Sequence, residues 1–151
     1  MAPFFATIDS AIMGRKTLEA GLKMGGTVAY PGIATYVFSR SLRAGERDGI
    51  TFTRDSPADV VAQIRKKPGK DIWLMGGGEL ARDFLKADLV DGLFLGIVPV
   101  LLAKGLPLFP TGFPQRDFSL IENKAYSQGL IAFKYERVRS TKKRQTHAVT
   151  Y

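Results

Sequence analysis

The 151-residue chain contains no cysteine. Disulfides, thiolate nucleophiles and cysteine–zinc sites are therefore excluded. Its single histidine, His147, lies near the C-terminal end, which leaves no basis for a histidine triad or a multi-imidazole metal cluster. No apolar run approaches the roughly 18 residues that a membrane-spanning helix needs. The N-terminus also lacks the basic-then-apolar layout of a signal peptide, so the expected compartment is the cytoplasm. Acidic residues are absent after Glu136, where Arg137, Arg139, Lys142, Lys143 and Arg144 supply five of the eight net positive charges and leave +3 on residues 1–136. A basic end of this kind reads as a solvated tail. Without a recognition helix or an aromatic-studded strand beside it, it is no evidence for specific nucleic-acid binding.

What the chain does have is enough apolar residue, 45%, to bury one sizeable core. The expectation is one domain over residues 1–138 and a basic tail over 139–151. Residues 4–9 read as the end of a helix and Ser10–Met13 as a short buried strand. A helix is expected over Thr17–Met24, ended by Gly25-Gly26, and a turn at Pro31-Gly32. "IATYVFSR" is a strand by its β-branched and aromatic content, and "ITFT" reads as a half-exposed strand near an edge. Ser56, Pro57 and Asp59 have the spacing of an N-cap, a first helical position and a capping-box acid. The helix they begin should bury Ala58, Val61 and Ile64, and Pro68-Gly69 should end the element.

"DIWLMGGGELARDFLKADLVDGLFLGIVPVLL" has the pattern of strand, tight turn, helix and strand. Four consecutive apolar residues, Ile72–Met75, fit a strand covered on both faces. Leu80, Phe84 and Leu85 form the buried stripe of the helix. With that helix as crossover, a right-handed parallel unit is expected between the two strands. "FSLIENKAY" and "GLIAFKYERV", separated by Ser127-Gln128-Gly129, read as an antiparallel hairpin.

Three clusters follow strands. Gly76-Gly77-Gly78 lets backbone approach a ligand at a helix start, where free N–H groups favour phosphate; a plain tight turn is the competing reading. Gly14-Arg15-Lys16-Thr17 places a glycine, two cations and a hydroxyl at another helix start. Ser39-Arg40-Ser41 sets a cation between two hydroxyls. Ligands of open α/β sheets bind beyond the carboxyl ends of strands, and guanidinium groups suit a dianionic phosphate. Together the clusters point to a phosphorylated dinucleotide, with NADP(H) preferred over NAD(H).

"IMGRKT", "VFSRS", "LMGGGELARDFL", "VDGLFLGIVPVLLAKGLPLFP" and "YSQGLIAFKYERV", in this order, resemble the dihydrofolate-reductase-like family. The resemblance is to bacterial members related to the reductase domain of the bifunctional riboflavin-biosynthesis deaminase/reductase, and it runs from Phe4 to Val138. It implies a three-layer αβα domain with a mixed, mostly parallel sheet and a C-terminal antiparallel hairpin. It also implies an NADPH-dependent reductase of a small pyrimidine or pteridine-like heterocycle, in a family where homodimers are common. Gly14, Arg15, Lys16 and Thr17 would then hold cofactor phosphates, and Ser39 and Arg40 would flank the ribose 2′-phosphate. Gly76, Gly77, Gly78, Glu79 and Leu80 would wrap the pyrophosphate through backbone N–H groups, with a cis peptide between the first two glycines. Met75 would stand near the nicotinamide.

The sequence departs from the family at Leu102-Ala103-Lys104-Gly105, where relatives carry further glycine. The resemblance also implies a front segment ahead of this block, with a central strand and much of the substrate pocket, and that segment is expected to be missing here. Asp9, the nearest upstream carboxylate, reads as a capping or loop residue and not as a proton donor, so no catalytic residue is assigned. A catalytically silent NADP(H)-binding remnant is the alternative expectation.

Overall fold

Strand β1, Ile8–Gly14, organises the first part of the molecule, and it is apolar on consecutive positions because both of its faces are covered. In a computed structural model of the chain, which describes residues 4–26 and 30–139, Ala11, Ile12 and Met13 have no exposed surface. The chain divides into two units, Met1–Leu89 with Lys104–Pro114, and Val90–Ala103 with Gln115–Tyr151.

The first unit holds a five-stranded sheet of β1, β2 (Ala34–Phe38), β3 (Gly45–Arg47), β4 (Ile50–Thr53) and β5 (Asp71–Gly76), in the order β3-β4-β2-β1-β5. All neighbours are parallel except β3 and β4. Met13 pairs with Val37 and Val37 with Phe52, so one row of side chains runs across one face. Leu18 of helix α1 (Arg15–Lys23) joins this row in a buried cluster with Ile50. Phe38 follows Val37 and therefore points to the opposite face. There its ring meets Phe84 of helix α3 (Gly78–Lys86) edge-on, at 6.0 Å between centroids. Helix α2 (Pro57–Ile64) lies with α3. This unit is thus a layered αβα arrangement with helices on both faces. Each large side chain fully buried in it contributes about 1.5–3 kcal/mol of apolar burial.

The second unit is an antiparallel sheet of β6 (Gly92–Ile97), β8 (Ile131–Arg137) and β7 (Phe118–Ala125), in the order β6-β8-β7. The expected hairpin is β7–β8. Its turn is closed by bonds from Gly129 N–H to Tyr126 O and from Tyr126 N–H to Leu130 O, both 2.9 Å, with Gly129 at φ 83°.

Several expectations need correction. The helix expected over 4–9 is only a 3-10 turn, Phe4–Ala6, closed where the Thr7 N–H and hydroxyl both donate to Phe4 O. β1 begins two residues earlier than expected, at Ile8. α1 begins at Arg15 and not Thr17, because Gly14 takes the N-cap position in extended conformation with no side-chain cap to mark it. β4 is mostly buried, not half-exposed, since Ile50 and Phe52 pack in the cluster with Leu18 and Val37, while the short strand β3 pairs with its outer edge. The buried stripe of α2 is Val60 and Val61, while Ala58 is exposed. The parallel pairing expected between the strands flanking α3 is absent: β5 pairs parallel with β1, and β6 pairs antiparallel with β8 through Leu93–Tyr135, Leu95–Phe133 and Ile97–Ile131. The alternating β6 pattern suits that half-covered sheet. β5, expected to be covered on both faces, is half-buried and forms the edge of its sheet.

Of the basic tail, only Arg139 falls among the described residues, where it pairs with Asp91 at 2.6 Å; His147 lies outside them. No helix among the described residues is long and apolar enough to cross a membrane.

Candidate functional site

The parallel register brings three strand ends to one end of the first unit's sheet. β1 is the middle strand of the three: Gly14 pairs with Phe38 of β2 on one side, and Met13 with Gly76 of β5 on the other. Neighbouring strands lie about 4.8 Å apart. The three predicted clusters therefore leave the sheet side by side.

The exits of β1 and β5 each start a helix from a glycine. Gly14 caps α1 and Gly77 caps α3, neither with a side-chain hydrogen bond to the helix. The first-turn N–H groups of both helices therefore keep their capacity to meet a ligand, and the helix dipoles favour a negative one. Gly76 and Gly77 both take positive φ, 107° and 43°, a path that side-chain-bearing residues rarely adopt. A Cβ on Gly77 would stand 3.4 Å from Thr17 Oγ1, so the two helix starts meet there. On its other side the turn is backed by the Pro107–Pro110 segment, since a Cβ on Gly78 would lie 3.2 Å from Pro110 Cδ. The peptide bonds of the turn are all trans, including Gly76–Gly77, contrary to the cis bond the resemblance implied.

The other predicted residues divide by what they can offer. Arg15 is folded onto Glu19 one turn along, with 2.5 Å between Nη1 and Oε1, while Lys16 is exposed. Ser39 is buried; its N–H donates to Thr53 O at 3.1 Å, and its Oγ accepts the Leu42 N–H at 3.0 Å. Ser39 therefore shapes the turn that carries the exposed Arg40. Met75 packs against the buried cluster around Met13 and Val37. Leu80 is buried in α3, so it can contribute only its backbone. Glu79 is exposed in the first turn of α3. Its carboxylate suits the helix dipole but opposes an incoming anion.

Asp9 stands at the other end of β1. Its Oδ2 accepts the Lys70 N–H at 2.6 Å and its Oδ1 the Ser10 hydroxyl at 2.9 Å. These two bonds, the backbone one foremost, hold its carboxyl below the usual value of 3.8. Five residues of strand, about 16 Å, separate it from Gly14. It is a loop-fixing residue, as its sequence position indicated.

Sequence reasoning missed Arg43, Arg47 and Arg54, which are brought together where Arg47 of β3 and Arg54, just after β4, bond the 39–43 turn. No local signal marks them, because the strand pairing that assembles them is non-local.

The layered α/β unit, with two glycine-capped helix starts and a cation-bearing turn at one sheet end, has the dihydrofolate-reductase-like fold. Residues 4–132 match the RibD C-terminal domain family, and the chain belongs to that family. It is 33% identical over 127 residues to the uncharacterised protein YwjB of Bacillus subtilis (strain 168), an alignment covering 84% of this chain and 73% of that protein. It is 36% identical over 100 residues to the uncharacterised YyaP of the same organism, covering 66% of this chain and 53% of that protein. The chain thus spans about half to three quarters of these relatives' lengths. Among solved structures, a candidate riboflavin biosynthesis protein from Shewanella sp. PV-4 superposes with a TM-score of 0.79 at 25% identity, covering 92% of this chain and 81% of that one. A pyrimidine reductase-like protein from Corynebacterium diphtheriae gives 0.66 at 17% identity, covering 88% and 77%, a likeness of fold.

Proposed function

We propose that this chain binds NADPH and belongs to a cytoplasmic reductase of a small pyrimidine or pteridine-like heterocycle. The observation that carries the reading is the meeting of Thr17 with Gly77 beneath two uncapped helix N-termini. In this reading the backbone N–H groups of residues 15–17 and 77–80 hold the pyrophosphate, with Lys16 and the Thr17 hydroxyl beside it. Arg40, on the turn set by Ser39, meets the 2′-phosphate and makes NADPH preferred over NADH. Bound NADPH would supply the hydride, and the protein's part is to position it and the substrate. The partner is a small heterocycle, with no specific nucleic acid or membrane surface involved, and two copies of the chain form the working unit. NADPH oxidation assayed with a pyrimidine–ribitol phosphate and with dihydrofolate tests the reading. Turnover with one of them supports it, and binding of NADPH without turnover leaves only the cofactor half.

One observation favours a second reading, a catalytically silent NADP(H)-binding protein. The carboxylates on β1 and β5 are Asp9 and Asp71, and both stand at the amino ends of their strands, away from Gly14 and Gly76.

A further inference from the structure

The turn from Ser39 to Arg43 is held from outside by two arginines, Arg47 at the end of β3 and Arg54 just after β4. Arg54 Nε donates to Leu42 O at 3.2 Å, and Arg47 Nη2 donates to Arg43 O at 2.9 Å. Consecutive carbonyls of one exposed turn are therefore both gripped by guanidinium groups. The Arg47 guanidinium also lies 4.3 Å over the ring of Phe52, a core residue paired with Val37. From within, the Ser39 hydroxyl accepts the Leu42 N–H, and the Ser39 N–H is tied to Thr53 O. A polar turn on a sheet exit is ordinarily among the more mobile parts of a fold; this one is tied at both ends and at two adjacent carbonyls. The residue it presents, without itself serving as a tie, is Arg40.

We propose that Arg47 and Arg54 are positioning residues for 2′-phosphate recognition, clamping the Ser39–Arg43 turn so that Arg40 is presented in one place. The proposal rests on the cofactor reading given above. Preorganising a charged group lowers the ordering cost of binding, and that gain is realised only by the ligand carrying the extra phosphate. Arg47 and Arg54 thereby act on the discrimination between the two dinucleotides and not on pyrophosphate binding, which belongs to the helix starts.

The test measures affinities for NADP+ and NAD+ by calorimetry, together with hydrogen exchange of the Leu42 and Arg43 amides. The proteins are the wild type, Arg47→Ala, Arg54→Ala, Arg54→Gln and Arg40→Ala, each checked for an unchanged melting temperature. Arg54→Ala and Arg47→Ala are expected to weaken NADP+ about three- to tenfold, the scale of one ordinary hydrogen bond, leave NAD+ within twofold, and speed exchange in the turn. Arg54→Gln keeps an N–H donor without the charge and is expected to recover most of the NADP+ affinity. Faster exchange with unchanged NADP+ affinity overturns the proposal. So does weaker NADP+ binding with unchanged exchange, or an Arg54→Gln protein as weak as Arg54→Ala, since either marks a direct charge effect. A wild type with equal affinity for both dinucleotides, unaffected by Arg40→Ala, overturns the cofactor reading itself and the clamp with it. Loss of preference in Arg40→Ala but not in the clamp variants overturns the clamp alone.

Discussion

The hydroxyl of Thr17 stands 3.4 Å from the point that a Cβ would occupy on Gly77. Two helix starts from two different strands therefore share one small space, and Gly77 keeps it open. Gly77 also has φ 43° and ψ 139°, outside the regions that L side chains favour. Gly77→Ala is expected to lower stability by about 1–3 kcal/mol from backbone strain and to weaken NADP+ binding at least tenfold. Thermal melting and calorimetry check both. A protein of unchanged stability and affinity contradicts the assigned role of the turn.

Thr17→Val removes the hydroxyl and keeps the side-chain shape. The half-buried position should tolerate the methyl, so the fold is expected to persist. NADP+ affinity should fall about ten- to a hundredfold, the scale of one hydrogen bond to a charged group. Equal affinities in the two proteins would remove Thr17 from the site.

Asp9 is expected to add a pH-dependent contribution to stability at the opposite end of the sheet. Its folded carboxyl ionises below the usual value of 3.8 because the Lys70 N–H and Ser10 hydroxyl donate to it. A depressed carboxylate contributes stability above its unfolded pKa of about 3.9, and that contribution is lost as pH falls through the folded pKa. Asp9→Asn should therefore melt lower than wild type near neutrality, with the difference shrinking below about pH 4. Gly69→Ala should reproduce the loss, since its Cβ would fall 2.5 Å from Asp9 Oδ2. Melting curves from acid to neutral pH decide it, and parallel curves at every pH would contradict the linkage.

The two edges of the five-stranded sheet differ. β3 is three residues long, exposed and charged at Glu46 and Arg47, a protected edge. β5 carries Ile72-Trp73-Leu74-Met75 in a row and pairs only with β1 among the described residues. Leu101 and Leu106 add fully exposed apolar surface. The isolated chain is expected to self-associate as its concentration rises, and β5 amides should gain exchange protection at the same time. Sedimentation velocity over a concentration series checks this; a monomer at every concentration contradicts it.

The parts of the molecule legible in the sequence are those whose cause is local. Ser56 accepts the Asp59 N–H and Pro57 opens α2, as their spacing indicates. The β7–β8 turn closes at Gly129, and Leu80, Phe84 and Leu85 are the buried stripe of α3. The placement of the three clusters was legible for the same reason, because each is a strand end read directly into a turn. What was hidden is non-local. β6 alternates in a way that does not name its partner, so a crossover helix favoured a parallel neighbour where the structure has an antiparallel one. β3 is too short to show a period, yet it pairs with the outer edge of β4 and carries Arg47 to the Ser39–Arg43 turn. The sequence leads one to expect Arg15 on a cofactor phosphate, and only the structure shows its side chain drawn to Glu19.

Calorimetric titration of the chain with NADP+ and with NAD+ decides whether this sheet end binds a phosphorylated dinucleotide. One NADP+ per chain should bind, at least tenfold tighter than NAD+, with the preference abolished by Arg40→Ala. Equal affinity for the two dinucleotides, or no binding of either by folded protein, would contradict it.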